Sequence, residues 1–278
     1  MRRSGIRFGA MGSPSLGPSA HLSYQMCQMS EFPLMRGVSS IEDTIELPGE
    51  SMRKMGYKIQ SILVDDRMDG NDLSRSNEAL RVSLRLGESA IILGEVRGEE
   101  AKTLYQSMRT GRAGSSIMGT IHGDSAKTVF ERVVHDMGIS AEAFMATDIL
   151  VTIGTFRDRR TGAQARRVNE VVSTSDRIGE FVDMSGNRLD FSVPVMRRAL
   201  SSSSMSEEEA REEIKARGLL RKYLAQLAQR YEEFYSPEWV VAANEHMARH
   251  TGRSAEEILM TFKMKVRTET GKGLGDDI

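Results

Sequence analysis

A single cysteine, Cys27, stands in the 278 residues of the chain. It excludes an internal disulfide framework and any metal site built from several thiolates, and it suits a reducing compartment. Aromatic residues supply 6% of the sequence and apolar residues 39%, enough for a sizeable core but not a rich one. No apolar run approaches the length that crosses a membrane. A surplus of either charge is missing too. The 38 Lys and Arg are balanced by 39 Asp and Glu, so the net charge of −1 leaves no basic footprint for nucleic acid. Arg2 and Arg3 are not followed by an apolar stretch, which argues against a secretory signal and for a soluble cytoplasmic protein. Lysine is absent before Lys54.

That last absence falls on a suggestive stretch. Gly9-Ala10-Met11-Gly12-Ser13 opens like a phosphate-cradling loop of the pattern G-x-x-x-x-G-K-[ST], which makes Gly9, Gly12 and Ser13 nucleotide-binding candidates. Counted from Gly9, the second glycine falls on Pro14 and the lysine on Ser15. Counted from Gly12, Gly17 and Ser19 are in register, but Pro18 takes the lysine position. Either way the lysine is missing, and a proline has no N–H to offer a phosphate.

Residues 1–38 show no clean period and read as loop or disordered chain, rich in Ser, Gly, Pro and Met. The 18 methionines read as core filler and loop residues. "VSSIEDTIELP" from Val38 is a short strand with acids at its carboxyl edge. "NEALRVSLRLGES" is a helix with Leu80, Ser83 and Leu84 on one face and Gly87 as its cap. "SAIILGE" is a buried strand ending in Glu95. "EEAKTLYQSMRTG" is a helix with Ala101, Leu104, Tyr105 and Met108 inside. "SSIMGTIH" is a second buried strand ending in His122, followed by the helix "DSAKTVFERVVHDMG" with Asp124 or Ser125 as N-cap. "DILVTIG" and "RVNEVVST" are strands flanking a polar turn, and the basic "RDRRTGAQARR" between them reads as a solvated hairpin. The alternation predicts an α/β fold with a mostly parallel sheet covered on both faces.

Beyond Asp176 the pattern turns helical. Ser201–Ser204 reads as a linker, "SEEEAREEIKARG" as a capped helix, Leu219–Tyr235 and Pro237–Lys265 as two more, and "TETGKGLGDDI" as a frayed end. The expected division is 1–37, 38–176 and 177–278.

In open parallel sheets ligands sit beyond the carboxyl ends of the strands. Strands here run into Glu42, Asp43 and Glu46, into Glu95 and Arg97, and into His122 and Asp124. Acids, an arginine and a histidine on one such edge suit hydrolysis of a phosphoanhydride with a divalent cation.

These segments resemble, in order and in rough spacing, the boxes of the type II/IV secretion ATPase superfamily. "SAIILGEVRGEEA" is similar to its Walker B segment, "SSIMGTIHGDSA" to its His box and "SIEDTIELP" to its Asp box. "ALRVSLRLGES" fits its arginine-bearing helix, and "LRLGES" and "GTIHGDSA" are closest in wording to the archaeal branch. The resemblance implies a RecA-like P-loop core with a helical C-terminal appendage, ATP and Mg²⁺ as cofactors, a hexameric ring, and work at a membrane platform protein on the inner face of the cell membrane. It implies that Glu95 polarises the lytic water and supports the metal. Asp43, Glu42 and Glu46 then lie near that metal, with Asp43 beside Glu95 as its ligand. His122 senses the γ-phosphate, and Arg81, Arg85 and Arg97 serve as cations at the nucleotide or a subunit boundary.

The front loop departs from the family. Losing one preorganised donor costs about 10²–10³ in rate, and here more than one is lost, so weak ATP binding and negligible hydrolysis are expected. The domain that precedes the family's motor core is expected to be absent. A pattern left after "GAMGS" and rejoined at "VSSIEDT" points to a frame disruption between Ser13 and Val38; the alternative is a non-catalytic paralogue within a ring. A DNA translocase is the distant rival, disfavoured by the neutral charge.

Overall fold

The computed structural model describes residues 8–12, 37–64, 73–86, 90–110, 116–157, 159, 162, 164–185 and 189–275. Among them, eight strands form one sheet: β1 (Phe8–Gly12), β2 (Val38–Glu42), β3 (Ile59–Leu63), β4 (Ala90–Leu93), β5 (Ser116–Ile121), β6 (Ile149–Arg157), β7 (Gln164–Thr174) and β8 (Phe181–Asp183). Their order is β3-β2-β4-β5-β1-β6-β7-β8. Pairing is parallel from β3 through β6, and antiparallel from β6 to β7 and from β7 to β8. The expected α/β fold is therefore present, a mostly parallel sheet with a helical appendage.

β4 is buried at every residue, as a central strand covered on both faces must be. Helices α1 (Gly49–Lys54), α2 (Leu73–Ser83), α3 (Glu100–Thr110), α4 (Ala126–Glu131) and α5 (Ala141–Phe144) connect the strands, and a π turn, Arg132–Asp136, prolongs α4. Ala101, Leu104, Tyr105 and Met108 of α3 are buried, as their spacing predicts. Ser125 caps α4 through a capping box with Thr128. The loop expected over residues 1–38 is corrected at β1. "FGAMG" carries no strand periodicity of its own, and its extended form comes from pairing with β5 and β6 on either side.

The helical region holds α6 (Pro194–Ser203), α7 (Glu207–Ala228), α8 (Pro237–Arg249) and α9 (Ala255–Thr270). Several boundaries differ from the sequence reading. The linker expected at Ser201–Ser204 is the last turn of α6, where Ser201, Ser202 and Ser203 return their hydroxyls to carbonyls three residues back and Ser204 closes the helix at φ 58°. The two helices expected to meet at Gly218 are one, because Ala216, Leu220, Tyr223, Leu224 and Leu227 bury a continuous face across it. The helix expected over 237–265 is two, split by Gly252 at φ 86° and restarted by the capping box of Ser254 and Glu257. Thr268, where a frayed end is expected, is still helical, since α9 runs to Thr270 and Gly271 caps it at φ 69°. Among the described residues no helix is long and apolar enough to cross a membrane.

The appendage is tied to the sheet domain. Arg198 of α6 pairs with the buried Asp148 before β6, and Arg197 grips Asp176 at 2.8 and 3.1 Å. Val241 of α8 packs in one cluster with Val38, Met52 and Ile59.

His246 of α8 gives this region a pH dependence. It is 7% exposed, stacks on His250 at 4.1 Å between ring centroids, and has Nε2 2.9 Å from the Thr261 hydroxyl. Burial first, then His250, with Lys265 and Arg249 adding repulsion, pushes the imidazole down to about 4. A base whose pKa is lower in the folded state is destabilising once protonated, so its stability contribution is complete above about 6.5 and is lost as pH falls toward 4. Urea unfolding at pH 4 should show about 2–3 kcal/mol less stability from this group than at pH 7. His246→Asn should flatten that part of the profile.

Candidate functional site

Because β1, β2, β4 and β5 are parallel, their carboxyl ends share one edge of the sheet. Ile41 pairs in register with Leu93, and Leu93 with Gly119, so the turns after β2 and β4 lie side by side. The Gly94 amide donates to the Ile41 carbonyl at 2.8 Å. A Cβ on Gly94 would stand 3.3 Å from that same oxygen, so glycine lets the two strand ends close up. On the other side the Val96 amide donates to the Thr120 carbonyl at 2.8 Å, and the Thr120 hydroxyl returns a bond to the Gly94 carbonyl. Glu95 sits between these backbone ties.

Its carboxylate is the centre of the cluster. Glu95 Oε1 lies 3.0 Å from Nε2 of His122, and Glu95 Oε2 pairs with the Arg97 guanidinium. The same Arg97 nitrogen stands 3.6 Å from Asp43 Oδ2. Three separate segments thus meet, and they are the three that the sequence singles out. Glu95 is 16% exposed at its side chain and His122 38%, so both open onto solvent at this edge.

Glu42 plays a different part from its neighbour. It is 4% exposed, and its Oε2 accepts from the amides of Glu46 and Leu47 at 2.9 and 3.0 Å. It therefore folds the acidic loop over itself and presents Asp43 and Glu46 outward. Its other oxygen, Oε1, is buried without a hydrogen-bond partner among the described residues. Glu100 accepts from the amides of Arg97 and Gly98 at 2.6 and 2.8 Å. That frees the guanidinium for Glu95 and Asp43. Its first-turn position on α3 was a readable sign of this role.

Arg81 and Arg85 are exposed, on α2 and in the turn after it, and the ion pairs of this cluster are made by Glu95, His122, Arg97 and Asp43. α2 reaches the sheet through Ser83, whose hydroxyl is 2.9 Å from that of Ser39. Gly9 and Gly12 lie in β1, which leaves the sheet on the same edge, Met11 pairing with Ile121 next to His122. Ser13 lies outside the described residues.

Among the described residues no three His, Cys, Asp or Glu side chains are grouped to hold a metal ion by themselves. Mg²⁺ seldom needs such a cage; one or two carboxylates, water and substrate phosphates suffice. Asp43 and Glu95, joined through one arginine nitrogen, fit that smaller requirement.

Residues 17–224 match the family model described as "Type II/IV secretion system protein", a span that includes every residue of the cluster and leaves Gly9, Gly12 and Ser13 before it. No curated protein matches the chain in sequence. Among solved structures, it is similar to the VirB11 ATPase of the Brucella suis type IV secretion system in complex with sulphate, at 20% identity and a TM-score of 0.44, covering 70% of this chain and 52% of that one. It is similar to the pilus retraction motor PilT with bound ADP at 17% identity and a TM-score of 0.45, covering 72% and 51%. The Legionella pneumophila ATPase DotB aligns at 12% identity and a TM-score of 0.48, covering 98% and 59%. The chain thus spans between half and three fifths of the length of these proteins.

Proposed function

This chain belongs to the family of type II/IV secretion system proteins, and from that membership we propose that it is an ATPase motor component of an archaeal-type secretion, pilus or archaellum assembly system. The observation that carries this reading is the meeting of Glu95 with His122 at 3.0 Å on the edge where Arg97 also reaches Asp43. Asp43 and Glu95 would hold Mg²⁺, which when bound would supply positive charge to neutralise the negative charge developing on the transferred group. Glu95 orients the attacking water and takes its proton at Oε1 or Oε2. His122, in contact with Oε1, registers a change at that carboxylate and passes it to the loop before α4. Arg97 holds Glu95 and Asp43 together in the absence of nucleotide.

The front loop limits this machinery. Without the lysine, and with Pro14 and Pro18 in the stretch, the chain alone is a weak or inactive ATPase. A frame disruption between Ser13 and Val38 accounts for the abrupt change of wording, and a three-frame translation tests it: a frame that yields G-K-[ST] there is expected, and none doing so overturns it. The assembly is a hexameric ring, in the cytoplasm at the inner membrane face. The alternative reading, a non-catalytic paralogue in a ring of active homologues, draws on the same missing lysine.

A pull-down with the tagged chain in its own cell tests the function. Copies of the chain together with a membrane platform protein are expected. Capture of a homologue with an intact loop selects the alternative, and capture of neither contradicts both.

A further inference from the structure

The loop that carries His122 is held at both of its ends by residues outside the three family segments. At its start, Arg132 Nη1 donates to the carbonyl of His122 itself at 3.3 Å. At its end, the amide of Ala126 donates to Glu170 Oε2 at 2.9 Å, and the Thr152 hydroxyl donates to the same oxygen at 3.4 Å. Neither anchor is where regular structure would put it. Arg132 opens the π turn after α4, a local rewinding that shifts its side chain relative to an unbroken helix. Glu170 follows a bulge in β7, where Thr152 pairs with Glu170 but Ile153 pairs with Val168, leaving Asn169 as the extra residue. Between the anchors Gly123 has no room for a side chain, since a Cβ there would come within 2.2 Å of Val129 Cγ2.

We propose that Arg132 and Glu170 are positioning residues that fix the His122–Ser125 loop so that Nε2 of His122 stays against Glu95. The proposal rests on the reading of Glu95 and His122 as partners in one site. Its mechanical consequence is that the β6–β7 hairpin, which supplies Glu170 and Thr152, is linked to His122 through α4. Displacement of one is transmitted to the other. Two irregular turns, each re-aiming one charged side chain at the same short loop, serve one purpose.

The test does not depend on turnover. With histidines labelled with ¹⁵N, the ring resonances of His122 are followed in the native chain and in Glu95→Gln, with His246 and His250 as internal references. A His122-specific shift on Glu95→Gln is expected, and its absence means that the Glu95–His122 contact, the underlying reading, is wrong. In the Arg132→Ala background that shift should be lost, while Arg132→Lys, which can still reach a carbonyl, should restore part of it. An unchanged shift in Arg132→Ala overturns the proposal, because a residue that only stabilises the helix would lower the melting point and leave the coupling intact. Should Arg132→Ala not fold, Glu170→Ala supplies the second anchor for the same measurement: loss of the shift supports the proposal and its persistence refutes it.

Discussion

Restoring the G-K-[ST] tripeptide to the front loop is expected to raise MgATP turnover by at least about a hundredfold over the native chain. The restored loop comes from whichever reading frame supplies the tripeptide between Ser13 and Val38. The minimal version is Pro18→Lys, because Gly12, Gly17 and Ser19 already fall on the other required positions. Phosphoryl transfer rests on positioning and on charge placed before the reaction begins, and the acidic edge already brings its side chains together. β1 emerges beside His122, and Glu95, Asp43 and Arg97 form one contiguous contact network. A lysine adds the positive charge that offsets the anionic γ-phosphoryl group, and removal of the proline returns an amide donor. In the restored chain, Glu95→Gln should cancel the gain. No gain from either version would mean that the acidic edge is not a catalytic site.

The second large effect concerns the core beneath that edge. Phe144 of α5 is fully buried, stacked on Tyr105 at 5.9 Å between centroids and meeting Phe130 and Phe181 edge-on at 5.1 and 6.3 Å. These rings come from α3, α4 and β8, so one side chain joins three elements. The phenol of Tyr105 is pushed up to about 12 by burial, and its oxygen accepts from the Thr147 hydroxyl at 3.3 Å. Phe144→Ala should therefore cost about 3–5 kcal/mol by chemical denaturation, combining lost transfer energy with the cavity it leaves. Ile45→Ala, at a side chain 63% exposed, should stay within about 0.5 kcal/mol of the native chain. A Phe144→Ala loss under about 1 kcal/mol would show that the ring cluster is loosely packed.

The central strands, and the residues that meet at their carboxyl ends, were legible in the sequence because their signals are local. β4 and β5 are apolar runs of strand length, and Glu95 and His122 follow them directly. What the sequence hid depends on tertiary partners. β1 and β8 are strands only because neighbours pair with them, and α7 crosses Gly218 because a buried face continues on both sides. The inward turn of Glu42 could not be read from "IEDTIEL", where all the acids look alike; it is fixed by two amides of its own loop. Arg132 and Glu170 were invisible for a similar reason. A π turn and a bulge each shift the register by one residue, and periodicity averages such shifts away.

Binding of MgATP to the native chain, by calorimetry or a fluorescent analogue, bears most directly on the claim that a complete acidic edge stands behind a defective phosphate loop. Binding weaker than about 1 mM, unchanged by Glu95→Gln, is the expected result. Micromolar affinity that requires Mg²⁺ and is lost in Glu95→Gln would contradict it.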